Sequence, residues 1–152
     1  MLKVNIPLKT YDDIEEVLVH NTHYNNVKIA LYFVEDCSIR TSEMEVCISL
    51  IKRWLNGENV GRDLRIAGNK VIETIICRPA QYAAYHAVRT ILTSYVIESV
   101  KYAFLASKCT YPYSEQFCKH NEYLNYIQLY GCEDPNFPYK DISKTFNLRQ
   151  LS

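Results

Sequence analysis

The chain has 152 residues, 48% hydrophobic and 22% charged, with only 4 Gly and 5 Pro. That composition fits one globular domain and excludes a disordered tail, a collagen-like repeat and a two-domain enzyme with a full dinucleotide-binding fold. Lys plus Arg and Asp plus Glu number 17 each, so no overall field draws the protein toward nucleic acid or an anionic membrane.

Residues 1–7, Met-Leu-Lys-Val-Asn-Ile-Pro, carry one positive charge and no apolar run, so they do not read as a secretory signal. Thr10 with Asp12 and Asp13 then opens a short helix carrying Tyr11, Ile14 and Leu18. A second helix is predicted over residues 26–37. The run from Ile29 to Val34 has strand-like composition, but Val27, Leu31 and Val34 keep helical spacing.

The clearest pattern spans residues 41–57. Ser42 followed by Glu45 reads as a capping box, and Met44, Cys47, Ile48, Ile51, Trp54 and Leu55 recur at helical spacing. Gly57 stands where a left-handed residue would end the helix. Residues 59–77 follow, with Asn59 as N-cap and Val60, Leu64, Ala67, Gly68, Val71, Ile72 and Ile75 as one stripe. Ala67 and Gly68 are small enough to admit a second helix closely.

Pro79 suits the first turn of a new helix. From Ala80 to Ala103 nearly every side of the segment is apolar, the mark of a central element. One long helix and two helices broken near Thr93-Ser94 both fit. Arg89, Glu98 and Lys101 interrupt this stretch, leaving less than the ~18–20 apolar residues of a membrane crossing. A last helix is predicted over residues 114–130, with Phe117, Leu124 and Ile127 inward and Gly131 as its stop. Beyond Cys132, Pro135 and Pro138 mark an irregular tail that Phe137, Tyr139, Phe146 and Leu148 could strap to the rest. The expectation is an all-α, single-domain bundle of about six to seven helices. Residues 1–132 form the helical domain, and the tail, 133–152, packs on it.

Six cysteines (Cys37, Cys47, Cys77, Cys109, Cys118 and Cys132) are expected to be reduced thiols in a cytoplasmic protein. No Cys-x-x-Cys or Cys-x-Cys pair suggests a zinc site. Asp13, Glu16, His20 and His23 would line one face of a helix continuing through Asn21, where carboxylates and imidazoles could hold a transition metal. The plainer reading is a solvated face of a terminal helix. A diiron bundle would need Glu-x-x-His pairs, which the chain lacks. Cys37, after Glu35 and Asp36, could act as a nucleophile with a histidine base, but no Gly-x-Ser-x-Gly, His-Glu-x-x-His or phosphate-cradling glycine loop accompanies it. His86 reads as a hydrogen-bonded core histidine. No catalytic, cofactor or metal site is expected.

Tyrosine is the outstanding feature, 13 of 152 residues. It pairs a rigid apolar body with a polar tip and is favoured in contact surfaces. Tyr111, Tyr113, Tyr123, Tyr126, Tyr130 and Tyr139 gather in the C-terminal third and are the candidate partner-binding residues, with core packing as the competing reading. A nucleic-acid stacking platform would need a basic groove alongside, and Lys119, Lys140, Lys144 and Arg149 are too scattered to form one.

Three segments point to a family. Glu35-Asp36-Cys37 ends an early helix, residues 51–58 (Ile-Lys-Arg-Trp-Leu-Asn-Gly-Glu) close the next, and the alanine-rich residues 80–87 follow a further helix. Their order and spacing across residues 27–108 resemble the alanine-rich helical immunity proteins encoded by bacteria. The chain lacks the proline-rich loop usual after the Asp-Cys pair and has Ile and Tyr where the family prefers Ala. The resemblance implies a compact helical domain that neutralises a protein toxin by binding it, and it carries over no catalytic residue. The expected function is therefore a non-enzymatic immunity or inhibitor protein, acting on a toxin or defence protein by stoichiometric contact. The alternative is a small metal-binding protein or enzyme using Glu16, His20 and His23. A homo-oligomer packed through the apolar segment 80–106 is also open.

Overall fold

The computed structural model describes residues 14–130. Among them are seven α-helices and no strand: α1 Ile14–Val19, α2 His23–Glu35, α3 Ser42–Leu55, α4 Gly61–Val71, α5 Arg78–Leu92, α6 Val96–Lys108 and α7 Tyr113–Tyr130. The protein is an all-α bundle. No helix among the described residues is long and apolar enough to cross a membrane. The predicted tail, with Tyr139, lies outside them.

Helices α2, α5 and α6 pack on one another at the centre. The α3–α4 hairpin covers the α2/α5 side, while α1 and α7 lie against each other and against α6, with α7 also reaching α2. Small residues set the central spacing. Ala80, Ala83, Ala84, Ala87 and Ala103 are fully buried, so this alanine surface is covered inside the chain. Gly68 of α4 faces Val88 of α5.

Residues 79–108 form two helices, because Thr93 adopts an extended conformation between them. Its hydroxyl donates to the Arg89 carbonyl (3.0 Å) and accepts from the Tyr95 N–H (3.3 Å), offering the backbone partners outside the helical ladder. Gly57 takes a positive φ of 90° at the end of α3, as the sequence predicts.

Four local expectations need correction. The α3 cap is Thr41, not Ser42: its Oγ1 accepts from the Met44 N–H (3.2 Å), and its own N–H points at the Met44 sulfur (3.4 Å). Glu45 is left to pair with Arg40 at 2.6 Å. Val60 rather than Asn59 takes the N-cap position of α4, without a side-chain cap bond. That helix ends at Val71 instead of reaching Cys77, and Ile75 and Ile76 are exposed. Finally Phe117, expected in the core, is 74% exposed. No residue from Tyr113 to Glu122 is buried, whereas Tyr123, Leu124 and Ile127 are. The face of the first turns of α7 that carries Tyr113 and Phe117 is thus open to solvent, while Lys119 reaches Asp36, His120 lies against Phe104 and the second half packs into the core.

Candidate contact surfaces

Among the described residues, a dense polar cluster centres on Asp36, the C-cap of α2. Its Oδ2 accepts from the Tyr123 hydroxyl (2.8 Å), the Lys119 ammonium (3.2 Å) and the Tyr111 hydroxyl (3.3 Å). Tyr111 also donates to the Asp36 carbonyl, and the Lys119 Nζ lies 4.5 Å from the Tyr111 ring centre. Beside it, the Ser38 N–H donates to Thr110 Oγ1 (3.1 Å) and the Ser38 hydroxyl to the Thr110 carbonyl. The C-terminal end of α2 is thereby tied to the α6–α7 turn and to α7.

The chemistry of this cluster is that of a fastening. Burial and the bond to Asp36 push the Tyr123 phenol upward, and burial followed by the Asp36 charge does the same to Tyr111. Burial acts to lower Lys119, but the bond to Asp36 and its charge outweigh that and raise it. Burial pushes Tyr32 up to about 12 and the Cys37 thiol up to about 11. Each of these shifts leads away from neutrality, where a general base or thiolate nucleophile would need to sit. The Cys37 thiol contacts the Phe33 carbonyl (3.6 Å) and Ser107 Oγ (3.5 Å), and no histidine is among its hydrogen-bond partners.

The candidate tyrosines divide between core, cluster and surface. Tyr123 is fully buried, with its ring 4.8 Å from Phe33 and 5.5 Å from Phe104; it has no surface to offer a partner. Tyr126 stacks on Tyr32 at 3.7 Å with near-parallel planes, and Tyr111 belongs to the Asp36 cluster. Tyr113 is 91% exposed. The side chain of Tyr130 lies outside the described residues, as does Tyr139. Tyr113 and Phe117, one turn apart on α7, therefore make the exposed aromatic pair of this region.

The histidine constellation does not assemble on one helix. Helix α1 ends at Val19, His20 lies in the following turn, and His23 opens α2 with its ring edge-on to Trp54 at 5.4 Å. Buried Asn26 ties this corner, donating to the Leu18 carbonyl (3.1 Å) and accepting from the Asn21 amide (2.9 Å). Asp13 is outside the described residues, among which no three His, Cys, Asp or Glu converge on a metal-sized site. His86 also differs from expectation. Its Nδ1 is buried with no hydrogen-bond partner among the described residues, and the ring sits among Tyr82, Tyr85 and Tyr102. Burial, aided by the Arg89 charge, lowers its pKa to about 4, so the ring is neutral at pH 7.

Two further surfaces escaped the sequence reading. Helices α3 and α4 enclose an open groove of about 440 Å³, floored by Val46, Leu50, Ile66 and Ala67 and rimmed by Glu43, Asp63 and Lys70. Next to it in the chain, the α4–α5 loop presents Ile75 and Ile76. Buried Gln81 holds this loop: its Oε1 accepts from the N–H groups of Ile76 (2.8 Å) and Cys77 (2.9 Å), while its Nε2 donates to the carbonyls of Val71 (2.8 Å) and Thr74. A signal for the Asp36 cluster was present, since an anion at a helix C-terminus opposes the macrodipole and calls for a cationic partner.

Comparison with known protein families, curated proteins and solved structures finds no match to the chain.

Proposed function

We propose that the chain is a non-enzymatic binding protein of the immunity or inhibitor type, which neutralises a toxin or defence protein by stoichiometric contact. The observation that carries this reading is the pair Tyr113 and Phe117, two large aromatic side chains at i and i+4 on the unpacked first turns of α7. Aromatic anchors of this kind dominate binding energy when a partner encloses them. Lys119 and Tyr111 hold the same segment against Asp36, which limits the entropy lost on binding. The resemblance of residues 27–108 to the helical immunity proteins adds the class of partner.

The test is capture from a lysate of the natural cell with the full tagged chain, compared with the Tyr113→Ala/Phe117→Ala double variant. The reading expects one protein retained in stoichiometric amount through a high-salt wash and lost by at least tenfold with the variant. Retention of nothing, or retention indifferent to the two substitutions, overturns it.

A further inference from the structure

The helices of the bundle are not held equally. Eight of the thirteen residues of α2 are buried, and seven of the fifteen of α5. Among the described side chains of α7, only Tyr123, Leu124 and Ile127 are buried. Helix α7 meets α1, α2 and α6 over far smaller contacts than α5 and α6 share. Its polar ties are partly open to water. Lys119 and Asp36 lie 3.2 Å apart with side chains 19% and 24% exposed, and the Lys108 Nζ reaches His120 Nδ1 at 3.5 Å. Groups so placed exchange one another for water at small net cost when they part.

Helix α1 depends on α7. It has six residues, well short of the ~12–15 at which an isolated helix becomes even marginally stable. Its buried side chains, Ile14 and Leu18, therefore need tertiary cover, and among the described residues its main packing partners are α7 and α6. Its polar ties are the bond from Asn26 to the Leu18 carbonyl (3.1 Å) and a loose Lys101–Glu15 pair at 3.9 Å. The body beneath is built differently. Helices α2, α5 and α6 pack on one another under the α3–α4 hairpin. Phe33 of α2 and Phe104 of α6 meet edge-on at 5.4 Å, a contact that does not involve α7.

We propose that α1 and α7 act as one strap, opening together while α2–α6 stays folded, and that the opening uncovers the Phe33–Phe104 pair with the Asp36 carboxylate at its rim. Segments with few buried contacts open in cooperative units, at free energies below that of global unfolding. The seat beneath the strap is an aromatic one with an acid at its edge. Helix α7 fills it with a ring, Tyr123, placed four positions after a cation, Lys119, and both bond to the Asp36 carboxylate. Tyr113 and Phe117 ride on the same helix, but the inference follows from packing and does not rest on the toxin-binding reading.

Amide hydrogen exchange on the purified full chain, read residue by residue by nuclear magnetic resonance at rising sub-denaturing guanidinium chloride, tests it. The amides of α1 and of residues 123–127 are expected to be protected at least tenfold less than those of α5. They share one opening, whose denaturant slope is smaller than that of global unfolding. Two substitutions separate strap from body. Val88→Ala, at a buried α5 position facing α4, lowers protection in α5 at least threefold. It leaves α1 and α7 unchanged, because the body is folded both before and after the strap opens. Ile127→Ala lowers protection in strap and body alike, since its contacts are lost in either opening. Three results overturn the proposal: α7 as protected as α5, α1 still protected once α7 exchanges, or α7 losing as much protection as α5 in Val88→Ala.

Discussion

Two junctions of the bundle are each held by one polar side chain, in opposite ways. Where α4 turns into α5, Gln81 is 2% exposed and bonds backbone groups four to ten positions away. Where α2 meets α7, Asp36 is partly open and gathers three side-chain donors from 75 to 87 positions away. The first is a neutral amide whose two donors and one acceptor face match a helix end and a helix start. The second is a charge that holds only because Lys119 and two phenols surround it. A local junction can be closed by one residue that folds back on its own neighbourhood. A distant one needs a charge strong enough to organise several partners, and aromatic packing beneath it to exclude water.

On that comparison, the α2–α7 junction depends most on the buried Tyr123 ring. Tyr123→Ala is expected to cost about 3–5 kcal/mol in chemical denaturation, whereas Tyr123→Phe, which keeps the ring and removes one donor from Asp36, costs about 1–2 kcal/mol. Equal losses for the two variants would assign the junction to its polar bonds instead. At the α4–α5 junction, Gln81→Leu is expected to cost about 2–3 kcal/mol by leaving loop backbone groups without partners. It should also accelerate amide hydrogen exchange at Ile76 and Cys77 above all other loop positions. Unchanged exchange there would remove Gln81 as the latch.

Smaller effects refine the packing beside the latch. A Cβ at Gly68 would lie 3.0 Å from Val88 Cγ1. Gly68→Ala is therefore expected to destabilise by about 1 kcal/mol net, the overpacking outweighing the helix propensity gained. In a Val88→Ala background the same change becomes neutral or favourable, a coupling that a double-mutant cycle reads directly.

The smallest effect concerns His86. An unfolded histidine takes up its proton near ~6.5, whereas this one does so only at about 4. Between those values the unfolded state binds more protons, so stability falls as pH drops from ~6.5 toward 4. With solvent screening at this half-open site, the contribution is ~1 kcal/mol or less. His86→Phe, which keeps a ring among Tyr82, Tyr85 and Tyr102, should lose correspondingly less stability between pH 7.5 and pH 4.5.

Much of the fold is legible locally. Met44, Cys47, Ile48 and Ile51 recur at helical spacing and all are buried; Gly57 ends α3 by the backbone freedom that its missing side chain allows. Periodicity misled where it outran tertiary support. Ile72 and Ile75 continue the α4 stripe in sequence, yet the helix ends at Val71, where Gln81 takes up the Val71 carbonyl. Phe117 is in phase with Leu124, but its own turn of α7 leaves it 74% exposed. Among the candidate tyrosines, composition could not sort Tyr123, wholly inside, from Tyr113, almost wholly outside.

The sequence by itself determined most of the helices, their small-residue faces and the stop at Gly57, because each depends on side chains within a few turns and on local backbone energetics; the break at Thr93 was settled by the structure. Only the tertiary structure decided which aromatics became core, which polar residue closed each junction, and that the α3–α4 groove and the side chains of Ile75 and Ile76 stay exposed. Those outcomes depend on which helix lies across from which. The hydrogen bond that the Tyr123 hydroxyl donates to Asp36 spans 87 positions of chain, a separation over which no periodicity carries information.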